Sequence, residues 1–105
     1  FEVIEHLNNP INMLSECYRV LRTEGNLICS TPDYRQVGAF FYEDPTHVRP
    51  FIKEGLLRTL RTVVFKSNEV KKWGGRMKIH FFPMIYNRFP QCFFLGTHLI
   101  SVSKR

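Results

Sequence analysis

Residues 9–32, NPINMLSECYRVLRTEGNLICSTP, carry a helix and a strand with almost nothing between them. Asn9 is a good N-cap, and Pro10 suits the first helical position, where its missing N–H costs nothing. Ile11, Leu14, Tyr18 and Leu21 recur at spacings of three and four, with Cys17 on the same face, so the spacing predicts an amphipathic helix over 10–22. Arg19 and Arg22 complement its negative end, and Gly25 is the residue expected to take the left-handed conformation that stops it. Asn26 to Thr31 then sets Leu27, Ile28 and Cys29 side by side before Pro32, the pattern of a strand buried on both faces. A helix running straight into a buried strand is half of a βαβ unit, which requires parallel neighbours and an α/β fold.

The remaining chain extends that frame within one domain, the most that 105 residues allow. Core helix and strand occupy 1–33. Residues 34–51, with Gly38, Pro45 and Pro50, read as a long loop with one helical turn around Val37 to Tyr42, lying past the strand's carboxyl end where α/β proteins keep their sites. Over 52–72, Ile52, Leu56, Leu57 and Leu60 give a second helix, followed by a strand from Val63 to Val70. Residues 73–91 form a basic aromatic insertion broken by Gly74-Gly75, Pro83 and Pro90. Residues 92–105 read as the last strand.

Several classes are excluded. No apolar run reaches the ~20 residues of a membrane span, and no signal-like segment opens the chain. Cys17, Cys29 and Cys92 sit among apolar neighbours at spacings unsuited to a disulfide framework or a CxxC zinc site, so they read as buried thiols of a reducing compartment, with the cytoplasm as default. Charge is uneven: residues 1–50 carry four basic against seven acidic side chains, residues 51–105 eleven against two. Over 66–89, Lys66, Lys71, Lys72, Arg76, Lys78 and Arg88 interleave with Trp73, Phe81, Phe82, Tyr86 and Phe89. Two readings remain, a surface for an anionic membrane or nucleic acid, and a solvated rim around an insertion packed on the sheet. His80 and His98, alone in apolar runs, read as packing or surface residues.

The opening residues place Glu2, Glu5 and His6 at offsets of three and four, so a single helical turn would gather them on one face. Taken with residues 9–33, they resemble the back half of class I S-adenosylmethionine-dependent methyltransferases. In that family a strand ends in an E-V-x-E-H stretch, a helix runs to R-V-L-[KR]-x-G-G, and a strand ends in S-T-P-[ND]. Here the parts are Glu2-Val3-Ile4-Glu5-His6, Arg19-Val20-Leu21-Arg22 with Gly25, and Ser30-Thr31-Pro32-Asp33. Asp44 to Phe51, DPTHVRPF, is similar to the family's substrate-side loop. Glu24 departs from the usual Gly-Gly turn. The glycine-rich turn and acidic residue that hold the family's cofactor have no counterpart.

The resemblance implies the carboxyl-terminal part of a Rossmann-like methyltransferase sheet, mixed, with its last strand antiparallel. It implies S-adenosylmethionine as cofactor, with Phe1 and Glu2 beside its pocket. It also implies a missing amino-terminal half, so the isolated chain is expected to be inactive and to bind the cofactor weakly. His6 and His47 are then the candidate bases for a hydroxyl acceptor. Glu2, Glu5, His6 and His47 resemble the metal-binding set of subgroups that methylate ubiquinone precursors or the 2′-hydroxyl of small RNA ends, and could hold Mg²⁺, Mn²⁺ or Zn²⁺. THVRPFIK is closer to the quinone subgroup. The alternative is that Glu5 and His6 cap the next helix and hold the loop by hydrogen bonds. Tyr34, Tyr42 and Asp44 are candidate acceptor contacts, with covering the sheet or shaping the turn before Pro45 as alternatives. The expected activity is methyl transfer to an oxygen of a small molecule, a quinone-like lipid or a glycan. Nucleic-acid methylation and a non-catalytic module for anionic surfaces are the alternatives.

Overall fold

The computed structural model describes residues 1–73 and 98–105. A 3₁₀ turn at Ile4–His6 leads into α1 (Pro10–Val20), β1 (Asn26–Pro32), α2 (Tyr34–Val37), a second 3₁₀ segment (Gly38–Glu43), α3 (Lys53–Thr62), β2 (Ser67–Trp73) and β3 (His98–Lys104). The expected insertion beyond Trp73 and the expected strand residues from Cys92 to Thr97 lie outside the described residues.

Helix α1 begins as its sequence dictates: the Asn9 side chain accepts from the Asn12 N–H at 3.2 Å, and Pro10 stands at the first position. It ends two residues early, with Leu21 already extended. The Arg105 guanidinium donates to the carbonyls of Leu21 and Arg19 and lies 4.7 Å from the Tyr18 ring. A cation at the negative end of the helix thus ties the chain's last residue to its first long element. The left-handed residue of the following turn is Glu24 (φ 67°), not Gly25. Glycine is required at 25 for a different reason: a Cβ there would come within 2.8 Å of the Arg22 carbonyl oxygen.

Strand β3 lies between β1 and β2 and is antiparallel to both, so the last strand runs as expected. The one parallel contact among the described residues is the bridge from Asp33 to Phe51. Thr31, Leu99 and Lys72 share a row across the sheet, as do Ile28, Val102 and Glu69. Helices α1 and α3 cover the face carrying Leu99 and Val70, where Ile4, Leu14, Phe51, Leu56, Leu60, Val63 and Phe65 complete the core. Each such side chain contributes about 1.5–3 kcal/mol by leaving water. On the opposite face Ile28 and Val102 stay exposed at 46% and 39%, so β1 is not buried on both faces. Only Ser30, Thr31 and Pro32 at its carboxyl end are enclosed.

The second strand begins at Ser67, four residues later than its apolar pattern indicates. Val63 and Phe65 are buried, but as anchors of the turn leaving α3, with Val64 between them exposed and left-handed at φ 59°. Apolar content there records core contact made by a turn, which periodicity alone cannot separate from a strand.

Candidate functional site

The site is built where the first turn, the carboxyl end of β1 and the loop before α3 meet. After the 3₁₀ turn the Glu5 carbonyl accepts two backbone hydrogen bonds, from Val48 and Arg49, each 3.0 Å, and the Arg49 side chain donates to the Asn8 carbonyl at 2.9 Å. Those bonds lay loop residues 46–49 along residues 5–8. His47 consequently stands beside His6, their rings edge to face at 4.6 Å.

Glu5, His6 and His47 offer one donor atom each within 4.8 Å of one another. Glu5 is fully buried. Its Oε2 accepts from the Thr31 hydroxyl at 3.0 Å, while Oε1 has no hydrogen-bond partner among the described residues and lies 3.8 Å from His6 Nε2. Burial pushes the Glu5 carboxyl above its usual range, and the nearby Glu2 charge adds to the push against the Thr31 hydrogen bond. His47 Nδ1 lies 2.8 Å from the Phe41 carbonyl, which can only accept, so in the neutral ring that nitrogen carries the proton and Nε2 the lone pair. Phe41 also stacks on the His47 ring, 4.6 Å between centroids.

Glu2, expected as a fourth member, is not in this group. The first turn is a 3₁₀ turn starting at Ile4, and Glu2 precedes it at φ 52° with its N–H bonded to the Ser30 carbonyl. Successive residues of β1 project to opposite faces, so Ser30 and Thr31 sort the two acids to opposite sides of the strand. Ser30 donates to Glu2 Oε1 at 2.8 Å, and His98 Nε2 lies 3.4 Å from Glu2 Oε2. Burial opposes ionisation of Glu2, but the His98 imidazole and Ser30 hydroxyl outweigh it and hold the pKa below the usual range; Glu2 in turn raises that of His98.

The other expected site residues surround the three-residue group. Tyr34, Phe41 and Tyr42 form an aromatic cluster, with centroids 5.1 to 6.2 Å apart, and Tyr42 is 54% exposed. Asp44 accepts from the Thr46 N–H and hydroxyl at 2.8 and 2.6 Å, and its Oδ2 lies 3.7 Å from His47 Nε2. The Thr46 hydrogen bonds hold the Asp44 pKa below the usual carboxylate range. Phe1 is half-exposed, and no hydrogen bond or ring contact ties it to the three-residue group among the described residues. Thr31, Ser30 and Thr46, absent from the expected set, are the chain's own partners for the acids and His6. Their only sequence trace is a hydroxyl beside a strand end or a histidine.

Asp33 is a further buried acid: Oδ1 caps α2 by accepting from the Arg35 N–H, and Oδ2 lies 3.6 Å from Lys72 Nζ. Lys66 and Lys104 both pair with Glu24, and Lys71 with Glu69 at 2.9 Å. The described lysines of the basic segment therefore each stand beside an acid. No helix among the described residues is long and apolar enough to cross a membrane.

The donor set fits a divalent cation. Among the described residues a buried carboxylate oxygen lacks a partner, and two imidazoles stand beside it, one with Nδ1 committed to a carbonyl and Nε2 without a hydrogen bond. Glu2, expected beside a cofactor pocket, has its carboxylate engaged by Ser30 and His98.

No family model and no curated protein matches this sequence. Solved structures do. A SAM-dependent methyltransferase from Archaeoglobus fulgidus superposes with a TM-score of 0.68 at 18% identity, over 99% of this chain and 56% of that one. A SAM-dependent methyltransferase from Thermotoga maritima, described as a possible histamine N-methyltransferase, gives a TM-score of 0.65 at 18% identity, over 96% of this chain and 51% of that one. The chain spans about half the length of these structures and has the fold of that half.

Proposed function

We propose that this chain is the acceptor-side half of an S-adenosylmethionine-dependent O-methyltransferase whose acceptor is a small molecule, a quinone-like lipid or a glycan. One observation carries the reading: Glu5, His6 and His47, from segments far apart in sequence, converge at the carboxyl end of β1, in a chain with half of a methyltransferase fold. In such a reaction the cofactor supplies an electrophilic methyl group, and the protein's tasks are to align the acceptor and take its proton. The bare Nε2 of His47 is a proton acceptor at the site's edge, with Asp44 3.7 Å away to favour the charged imidazolium that results. Tyr34 and Tyr42, the accessible rings packed on buried Phe41, offer ring faces and edges to an apolar acceptor body.

Alternatively, Glu5, His6 and His47 would hold a divalent cation; His47 Nε2 would then be a ligand rather than the base, and the cation would lower the pKa of an acceptor hydroxyl in its place. The Glu5 oxygen without a partner among the described residues favours that reading over a purely structural hydrogen-bond cluster.

The test is methyl transfer from labelled S-adenosylmethionine by the longest polypeptide that the gene encodes, against phenols, catechols, saccharides, amines and small RNAs. Transfer to a hydroxyl, lost in His47→Ala, supports the proposal. Transfer to an amine or to RNA alone refutes the acceptor class, and salt-sensitive binding to anionic surfaces without transfer supports the non-catalytic alternative.

A further inference from the structure

We propose that Thr46, held by Asp44, is a positioning residue that fixes the tautomer of His6, placing the ring proton on Nδ1 and leaving Nε2 as the free nitrogen beside Glu5. His6 Nδ1 meets two Thr46 atoms, the carbonyl oxygen at 3.1 Å and Oγ1 at 2.8 Å. The carbonyl can only accept. The hydroxyl is both donor and acceptor, but its proton is spoken for: Oγ1 lies 2.6 Å from Asp44 Oδ1, and the same oxygen accepts from the Thr46 N–H at 2.8 Å. An ionised carboxylate has no proton to give, so the hydroxyl must donate to it and can only accept from the imidazole. Both partners of His6 Nδ1 are thus acceptors, and only the tautomer protonated at Nδ1 satisfies them. The relay runs from Asp44 through the Thr46 hydroxyl to the ring, and it leaves Nε2 3.8 Å from the Glu5 oxygen without a partner among the described residues.

The Phe41 carbonyl imposes the same state on His47. The two imidazoles are therefore set alike, one by a backbone carbonyl and the other by a backbone carbonyl together with a side-chain relay in the loop. Imidazoles that present a lone pair to a metal or a proton are ordinarily fixed in this way by what the other nitrogen donates to. Any consequence for cation binding rests on the proposed function; the tautomer assignment does not.

The experiment is ¹⁵N–¹H correlation spectroscopy of the histidine rings in the metal-free 105-residue chain at pH 8, with folding checked by amide dispersion. The expected result is a single Nδ1–H tautomer for His6, a partial shift toward the solution mixture in Thr46→Val, which keeps the backbone carbonyl but loses the hydroxyl, and restoration in Thr46→Ser, which keeps both. An Nε2–H or mixed His6 in the unaltered chain overturns the proposal even if Thr46→Val does not fold, and so does a Thr46→Val spectrum unchanged from it. Calorimetry with Zn²⁺ is the second readout: Thr46→Val is expected to weaken binding about tenfold or more, with Thr46→Ser near the original value. If the unaltered chain binds no Zn²⁺, the cation reading fails while the ring spectra still decide the role of Thr46.

Discussion

Replacing Thr31 by valine isolates the cost of keeping Glu5 ionised inside the fold. Both residues have zero exposure, and the Thr31 hydroxyl is the one side-chain donor that Glu5 has among the described residues, at 3.0 Å on Oε2. Valine nearly reproduces threonine's volume, so no cavity forms and the loss is electrostatic. A hydrogen bond to a charged group contributes about 1.5–3 kcal/mol, and a buried carboxylate left with neither oxygen bonded by a side chain belongs at the upper end. The expected loss is about 2–3 kcal/mol at pH 7, which corresponds to a fall of roughly 10–15 °C in melting temperature for a domain of this size. Because burial raises the folded-state pKa of Glu5, its ionisation costs stability above the ordinary glutamate range, and the cost disappears as the carboxyl protonates in acid. The Thr31→Val deficit should accordingly be largest at neutral pH and shrink toward pH 4. Urea denaturation read as a change in midpoint at constant slope measures it. In a Glu5→Gln background the same substitution breaks only a neutral hydrogen bond and should cost about 0.5–1.5 kcal/mol, so the double-mutant cycle leaves a coupling of about 0.5–2.5 kcal/mol. A loss below about 0.5 kcal/mol at pH 7, or an equal loss in both backgrounds, refutes the reasoning.

Three more expectations rest on the same structure. The Glu2–His98 pair has a lowered acid and a raised base, so its stabilisation is complete between the ordinary glutamate and histidine values, about pH 4.5 to 6.5. It fades as pH falls through the folded Glu2 value or rises through the folded His98 value. NMR titration should put His98 above its ordinary midpoint and return it downward in Glu2→Gln. Val64 is β-branched, 72% exposed and left-handed just after α3, so Val64→Gly should stabilise by about 0.5–1 kcal/mol in thermal unfolding, while Val64→Ile brings no gain. If the acid and two histidines bind a cation, Zn²⁺ should raise the melting temperature of the chelator-treated chain, and Glu5→Ala or His47→Ala should abolish the rise.

Elements written in local chemistry were legible in the sequence. The Asn9-Pro10 start, the spacing of Leu14 and Tyr18 and the stop at Pro32 each act within a turn or two, so α1 and β1 emerge within two residues of their expected bounds. Where one pattern serves two structures, reading failed. The Val63–Phe65 run is equally apolar in a strand and in a buried turn, and only the core beneath it selects the turn. At 24–25 the expected glycine conformation fell on Glu24, because Gly25 is needed where its missing Cβ clears the Arg22 carbonyl. His98, read as packing or surface, acquires its role from Glu2 at the opposite end of the chain.

The sequence by itself determined which residues could do chemistry and how the helix and strand that carry them begin and end, since caps, periodicity and breakers act through neighbours along the chain. Only the tertiary structure decided which of those residues meet. It separated Glu2 from Glu5 by the alternation of Ser30 and Thr31 across β1, and it brought His47 to His6 through two hydrogen bonds on the Glu5 carbonyl. The reason is physical: contacts between distant segments are set by the packing of whole elements, and no spacing within either segment records them.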